Sequence, residues 1–260
     1  TNAGYTPNNY HFFVIAFKDI YDNIAGLGTL GKPSGYNFSI SWLNGYGTGT
    51  QRMNVGTFAH EIGHNLGVMH AAAWDPDSST QPDSTGTHIE YGNKFDVMGG
   101  GASRVYSLDR IPFTVHYKNL LDWVPNANIS VANGNYSGRI YAADRTQITG
   151  RNYAIRVDAN RALGGKTNLD YWVEYRSLIT GNSFSRNGAM IYLSDPDGSG
   201  GQGDSTCRLL DMKPSTSTFT DAPLQNGSSF TDANNRWKIE VTGKGGSGAN
   251  SYLDIAVTDI

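Results

Sequence analysis

One stretch of eleven residues constrains this chain more than any other feature: His60-Glu61-Ile62-Gly63-His64-Asn65-Leu66-Gly67-Val68-Met69-His70. Around it Val55, Phe58, Ala59, Ile62 and Leu66 recur at three- and four-residue spacing, which predicts an amphipathic helix from about Met53 to Leu66. On that helix His60 and His64 lie one turn apart on one face. Two imidazoles so placed can bind one zinc ion at Zn–N distances of about 2.0–2.1 Å. Helix geometry alone cannot bring a third ligand six residues beyond His64 onto the same metal. Gly67 permits a sharp left-handed turn, after which His70 can approach. Three neutral nitrogens leave a fourth position open, the arrangement of a catalytic zinc rather than a structural one. Glu61 stands beside the ligands as the expected general base, while the zinc acidifies a water and polarises a substrate carbonyl. Three of the six histidines and one of the four glutamates fall within this stretch. From the chain's own residue frequencies such a match arises on the order of once in 10^5 chains, which disfavours an ordinary core helix with satisfied histidines.

Composition sets the outer bounds. At 260 residues the chain is long enough to bury a substantial core as one large domain or two moderate ones. Cys207 is the only cysteine, so no internal disulfide is expected and no thiol chemistry is required. A formal net charge of −3 without basic blocks argues against nucleic acid or an anionic membrane as partner. The longest apolar run, Phe12 to Phe17, is far short of the roughly 20 residues of a bilayer helix. The first ten residues lack the pattern of a signal peptide, and the sequence is compatible with a processed chain. Richness in Gly and Tyr with few charges suits turn-rich β-structure and a secreted protein.

Along the chain, Tyr10 to Phe17 predicts a strand buried on both faces, and Tyr36 to Trp42 alternates like a second strand. Residues 74–88 are rich in Pro, Asp and Ser and predict a loop. A second helix is expected between Ser107 and Trp123, with Pro112 in its first turns and Pro125 beyond its end. After Pro125 about eight short β-branched and aromatic runs recur without helical patterns, predicting an all-β sandwich.

The sequence resembles the metzincin metallopeptidases, whose signature is H-E-x-x-H-x-x-G-x-x-H followed by a methionine-containing turn. Phe95-Asp96-Val97-Met98-Gly99-Gly100 matches that turn, and the resemblance implies that Met98 forms an apolar floor beneath the metal. Glu90-Tyr91-Gly92-Asn93, Tyr117-Lys118 and Leu121-Asp122-Trp123 are similar to the gametolysin type. Tyr171 to Arg176 is similar to a segment of gametolysin-type and immune-inhibitor-A-type peptidases, and His70, where the latter carry an acidic residue, favours the gametolysin side. The implied fold is an α+β metzincin-like catalytic domain over residues 1–125, followed by the β-sandwich over 126–260. The implied activity is secreted zinc endopeptidase, acting on extracellular proteins or glycoproteins. Two departures stand out. Gly100 occupies the place where some metzincins carry a zinc-facing tyrosine, so no oxyanion donor is assigned. Only 59 residues precede His60, so either the catalytic part is compact or an N-terminal part lies outside this sequence.

Weaker signals complete the expectations. Asp195, Asp197 and Asp204 on a Gly-rich turn form a candidate calcium cluster that competes with plain turn chemistry, and Asp75, Asp77 and Asp83 a lesser one. His11, His88 and His116 are expected to be structural or superficial. Tyr36 to Trp42 is weighed as the edge strand that aligns a peptide, against an ordinary sheet strand. Tyr91 and Tyr106 are weighed as cleft residues. The contrasting function is a glycan- or matrix-binding β-sandwich in which proteolysis is subsidiary, with Trp172 and Trp237 as aromatic platforms if they are exposed. A zinc-binding inactive relative is a third reading, opposed by the intact Glu61. Cleavage specificity and oligomeric state are not encoded in any recognisable pattern.

Overall fold

The computed structural model describes residues 6, 9–18, 24–45, 54–76, 82, 85–101, 111–179, 181–195, 207–232 and 236–260. Its first elements are strands β1 (Phe12–Phe17), β2 (Gly26–Gly28) and β3 (Ser39–Asn44), then helix α1 (Val55–Asn65). Strands β4 (Ala71–Asp75) and β5 (Thr87–Ile89) and the short helix α2 (Val115–Leu120) follow. Next come β6 (Ile129–Ala132), β7 (Tyr136–Tyr141), β8 (Ala154–Leu163), β9 (Lys166–Tyr175), helix α3 (Ser183–Asn187), β10 (Gly188–Ser194) and β11 (Cys207–Leu210). The chain closes with β12 (Leu224–Gln225), β13 (Ser229–Thr231), β14 (Trp237–Gly245) and β15 (Tyr252–Asp259).

These strands make three sheets. A small one has the order β1-β3-β2, with β1 parallel and β2 antiparallel to the central β3. The largest runs β5-β4-β11-β10-β9-β8-β6 with β12 attached to β10, and the third runs β13-β14-β15-β7. Alternation along the large sheet divides its side chains between two cores. Tyr171, Val173 and Ile191 join Ile140, Ile239, Val241, Ile255 and Val257 of the third sheet in one buried cluster. Trp172, Met190, Tyr192 and Leu209 point the other way and pack with Phe95, Val97, Met98, Val115 and Tyr117. The large sheet is therefore a middle layer, with a second sheet on one side and the Met98 loop and α2 on the other.

Several expectations are revised here. The boundary expected at Pro125 does not coincide with a break between sheets, because β4 and β5, which precede it, belong to the same sheet as β6 and β8–β11. The parallel pairing of β4 with β11 crosses it directly. The loop expected over 74–88 is bounded by the end of β4 and the start of β5, which pair antiparallel. The first strand is not buried on both faces. It is a terminal strand of the small sheet, and Phe12, Val14 and Ile15 are all more than two-fifths exposed. The helix expected from Ser107 is described only as α2, residues 102–110 lying outside the described set. Thr114 caps α2 by accepting from the Tyr117 amide, so Pro112 precedes the helix instead of entering it.

Helix α1 also sits differently from its apolar pattern. Val55 is 71% exposed and Phe58 is exposed, whereas Gly56, Thr57, His60, Glu61, Gly63 and Asn65 are buried. The reason lies in the sheet opposite, which presents Gly26, Gly28, Ser39 and Ser41 to the helix rather than large side chains. Asn65 holds the two together. Its amide nitrogen donates to the Thr29 and Ile40 carbonyls, each at 3.0 Å, and its oxygen accepts from Ser41 Oγ at 2.7 Å.

A buried polar knot anchors the Met98 loop to the large sheet. Arg176 Nε donates to Glu174 Oε1 at 2.6 Å, and its Nη1 donates to the Phe95 carbonyl. Glu174 accepts from the Val115 amide at 2.5 Å and from the Tyr192 hydroxyl at 3.0 Å. Asp96 accepts from the Met98 amide at 2.6 Å and the Thr114 amide at 2.5 Å. Burial pushes the Asp96 carboxyl up to about 6, with the Arg176 guanidinium acting in the opposite direction.

Candidate metal centre

Asn54 starts α1 by accepting from the Thr57 amide at 2.9 Å, satisfying one of the helix's free N–H groups. The helix stops at Gly67, whose φ of +98° lies in the left-handed region. Three residues later His70 stands at the entry to β4. Helix, turn and strand thus bring His60, His64 and His70 together, with ligand atoms all within 4.8 Å of one another.

The outer nitrogens fix how these rings present themselves. His60 Nδ1 donates to the Val97 carbonyl at 2.9 Å, His64 Nδ1 to the Val68 carbonyl at 3.0 Å, and His70 Nδ1 to Glu90 Oε1 at 2.6 Å. Each partner is an acceptor, so a neutral ring carries its proton on Nδ1 and turns an unprotonated Nε2 inward. Burial pushes His60 and His64 down to about 4, which keeps both neutral near pH 7. The Nε2 atoms of His64 and His70 stand 3.0 Å apart, so with both rings neutral and protonated on Nδ1 their lone pairs face each other. A cation shared by the rings removes that conflict, so the donor set fits a zinc ion.

Around this cluster the remaining groups fall into place. Glu61 follows His60 on the buried side of α1; its Oε2 is buried without a hydrogen-bond partner, and burial pushes its carboxyl up to about 7. Met98 is fully buried, and a Cβ added at Gly63 would come 2.3 Å from its Sδ, so the thioether lies directly against the helix beside His64. Tyr117 Oη donates to the His70 carbonyl at 2.8 Å. The Tyr91 ring lies 4.1 Å from that of His70, and its φ of 58° is strained for a bulky residue.

Glu90, noted in the sequence only as part of a family-like stretch, is the site residue to which the sequence assigned no role. We expect Glu90→Ala, at a half-exposed position, to weaken zinc binding about 10- to 100-fold. Competition against a chromophoric chelator measures this, and unchanged affinity would mean that His70 needs no carboxylate to hold its orientation.

Asp197, Asp204, Asp77, Asp83 and Tyr106 are outside the described residues. Asp195 follows the end of β10 and is not among the residues that converge on the metal position. His88 Nδ1 accepts from Arg208 Nε at 3.2 Å, and His116 is buried with its Nε2 2.6 Å from Ser194 Oγ. Trp172 and Trp237 are core residues, which removes both as glycan-stacking platforms.

The family model Metallo-peptidase family M12B Reprolysin-like matches residues 6–71. The match supports a metzincin-type metallopeptidase. It takes in β1–β3, α1 and all three histidines, and it ends where β4 begins. No curated protein and no solved structure matches the chain.

Proposed function

We propose that the protein is a zinc endopeptidase, gametolysin-like within the metzincins, that cleaves extracellular proteins or glycoproteins. The observation that carries this reading is the convergence of three imidazole nitrogens beside a buried carboxylate with an unpartnered oxygen. Bound zinc supplies a Lewis acid that acidifies water and polarises the scissile carbonyl. Glu61, buried beside the three imidazoles with one oxygen unpartnered, is placed to accept a proton from water and return it to the leaving amine.

The strand that aligns the substrate in this reading is β2. Tyr36 to Trp42 leads into β3, which has β1 on one side and β2 on the other, so it offers no edge. Strand β2 is terminal in the sheet and runs directly over the base, where an extended peptide can add as a further strand. A Cβ at Gly26 would stand 2.6 Å from Glu61 Oε1, and one at Gly28 would stand 2.7 Å from the Glu61 carbonyl oxygen. Gly26→Ala is therefore expected to displace the carboxylate and lower kcat about 100-fold with zinc content unchanged. A wild-type kcat in that variant would show that the position of Glu61 is uncritical.

The overall test is cleavage of a mixed peptide and glycopeptide library read by mass spectrometry. Cleavage by zinc-loaded protein, lost with a chelator and restored by zinc, is the expected result. A zinc-loaded protein that leaves every peptide intact overturns the proposal.

A further inference from the structure

A second site lies on the β-rich part and shares no residue with the metal centre. Where the ends of β9, α3 and the β14–β15 hairpin meet, the surface opens into a cavity of about 350 Å³. That volume falls in the range of small-molecule sites. Arg145, Arg186 and Lys244 line it together with Tyr175, Ser177 and Ser251, and no lining residue is acidic. Three cations around one cavity run against a chain whose net charge is −3.

Among the described residues the three have no carboxylate partner, unlike several other arginines. Arg139, Arg156, Arg161, Arg176 and Arg236 each lie within ion-pair distance of a carboxylate. Arg145 instead donates Nε to Ser177 Oγ at 2.8 Å, and Arg186 Nε reaches only the Asn182 carbonyl at 3.4 Å. Lys244 Nζ donates to Asn187 Oδ1, which leaves two of its three N–H groups. The neighbouring carboxylate, Asp144, is engaged by the Ser177 and Leu178 amides at 2.9 and 2.6 Å. Both guanidinium groups are close enough to Tyr175 to act against the burial that raises its pKa, and all three residues line the same cavity. Two guanidinium groups whose Nη atoms have no partner among the described residues, with an ammonium lining the same cavity, match a multi-oxygen anion.

We propose that this cavity binds a tetrahedral oxyanion ester, a sulfate or phosphate group carried on a small organic body such as a sugar ring. The cations grip the oxygens, and the volume beyond them and the Ser177 and Ser251 hydroxyls accept the carrier.

The test is calorimetric titration of the full chain at low salt with glucosamine 6-sulfate, glucose 6-phosphate, inorganic sulfate and unmodified glucosamine. Saturable one-to-one binding of a charged sugar, tighter than that of inorganic sulfate and absent with glucosamine, is expected. Comparing the two charged sugars assigns sulfate or phosphate as the preferred group. Arg186→Gln with Lys244→Gln, both at exposed positions, should weaken binding about tenfold per charge removed while the circular dichroism spectrum stays unchanged. Arg145→Gln gives an independent check. Equal affinity in the variants, or no binding of either charged sugar at millimolar concentration, overturns the proposal. Since the readout is binding, its failure leaves the peptidase reading standing, and the reverse also holds.

Discussion

Glu61→Gln is expected to lower kcat for peptide cleavage by about 10^2–10^4-fold while leaving zinc in place. The amide keeps the volume and removes the proton acceptor, and Glu61 is not among the three nitrogens that converge on the metal position. Its surroundings make it hard to replace functionally. The side chain is only 5% exposed, one oxygen has no partner, and β2 presses over it so closely that only glycine fits at residues 26 and 28. Kinetics on a fluorogenic peptide beside metal analysis of the same sample decides the matter. Retained activity with retained zinc would remove Glu61 from the chemistry; loss of zinc would mean that it holds the site together instead.

Arg176→Met should cost about 3–5 kcal/mol of folding stability, a large share of the 5–15 kcal/mol typical of a domain. The substitution removes the guanidinium next to Glu174 and Asp96, all three being buried, and leaves the two carboxylates without that partner. Urea unfolding of both proteins gives the difference. The double variant Arg176→Met with Glu174→Gln should recover part of the loss, and a simple sum of the two single effects would mean that the pair is not coupled. The pH dependence has a defined sign. Asp96 already has its folded pKa raised to about 6, so the folded state binds more protons than the unfolded one between about 4 and 6. Losing Arg176 raises it further. The deficit of the variant relative to wild type should therefore shrink as pH falls from 7 towards 5.

The parts of the site legible in the sequence were those fixed by local geometry. His60 and His64 follow from one helical turn, and His70 from a single left-handed residue at Gly67. Glu90 and Tyr91 reach the same place by another route. The antiparallel register Asp75↔Thr87, Trp74↔His88, Ala73↔Ile89, followed by the turn in which the Gly92 amide donates to the Ile89 carbonyl, brings them to the side of His70. That register depended on strands hidden in the sequence: β4 is Ala71-Ala72-Ala73-Trp74-Asp75, with no β-branched residue, and β5 closes a stretch that reads as loop.

The faces of elements were less legible than their existence. The apolar spacing of α1 located the helix, but its polar side is the buried one because the facing strands carry glycine and serine. Strand β1 was visible as an apolar run, yet its exposure depends on its terminal place in the sheet, which no local pattern encodes. In the same way, the change of character near Pro125 is a change in composition and not in connectivity. The partner that holds β4 comes from β11, far beyond it.

That long-range pairing sets an order of events during synthesis. The three histidines are made before β11, yet Ala71, next to His70, is held in the sheet by Cys207, which is made much later. Non-local parallel pairing forms slowly, after the loop between the partners has been closed. A nascent chain therefore carries all three histidines before it has made the strand that holds the third one in place. Any hydrolytic capacity of the site waits for β11.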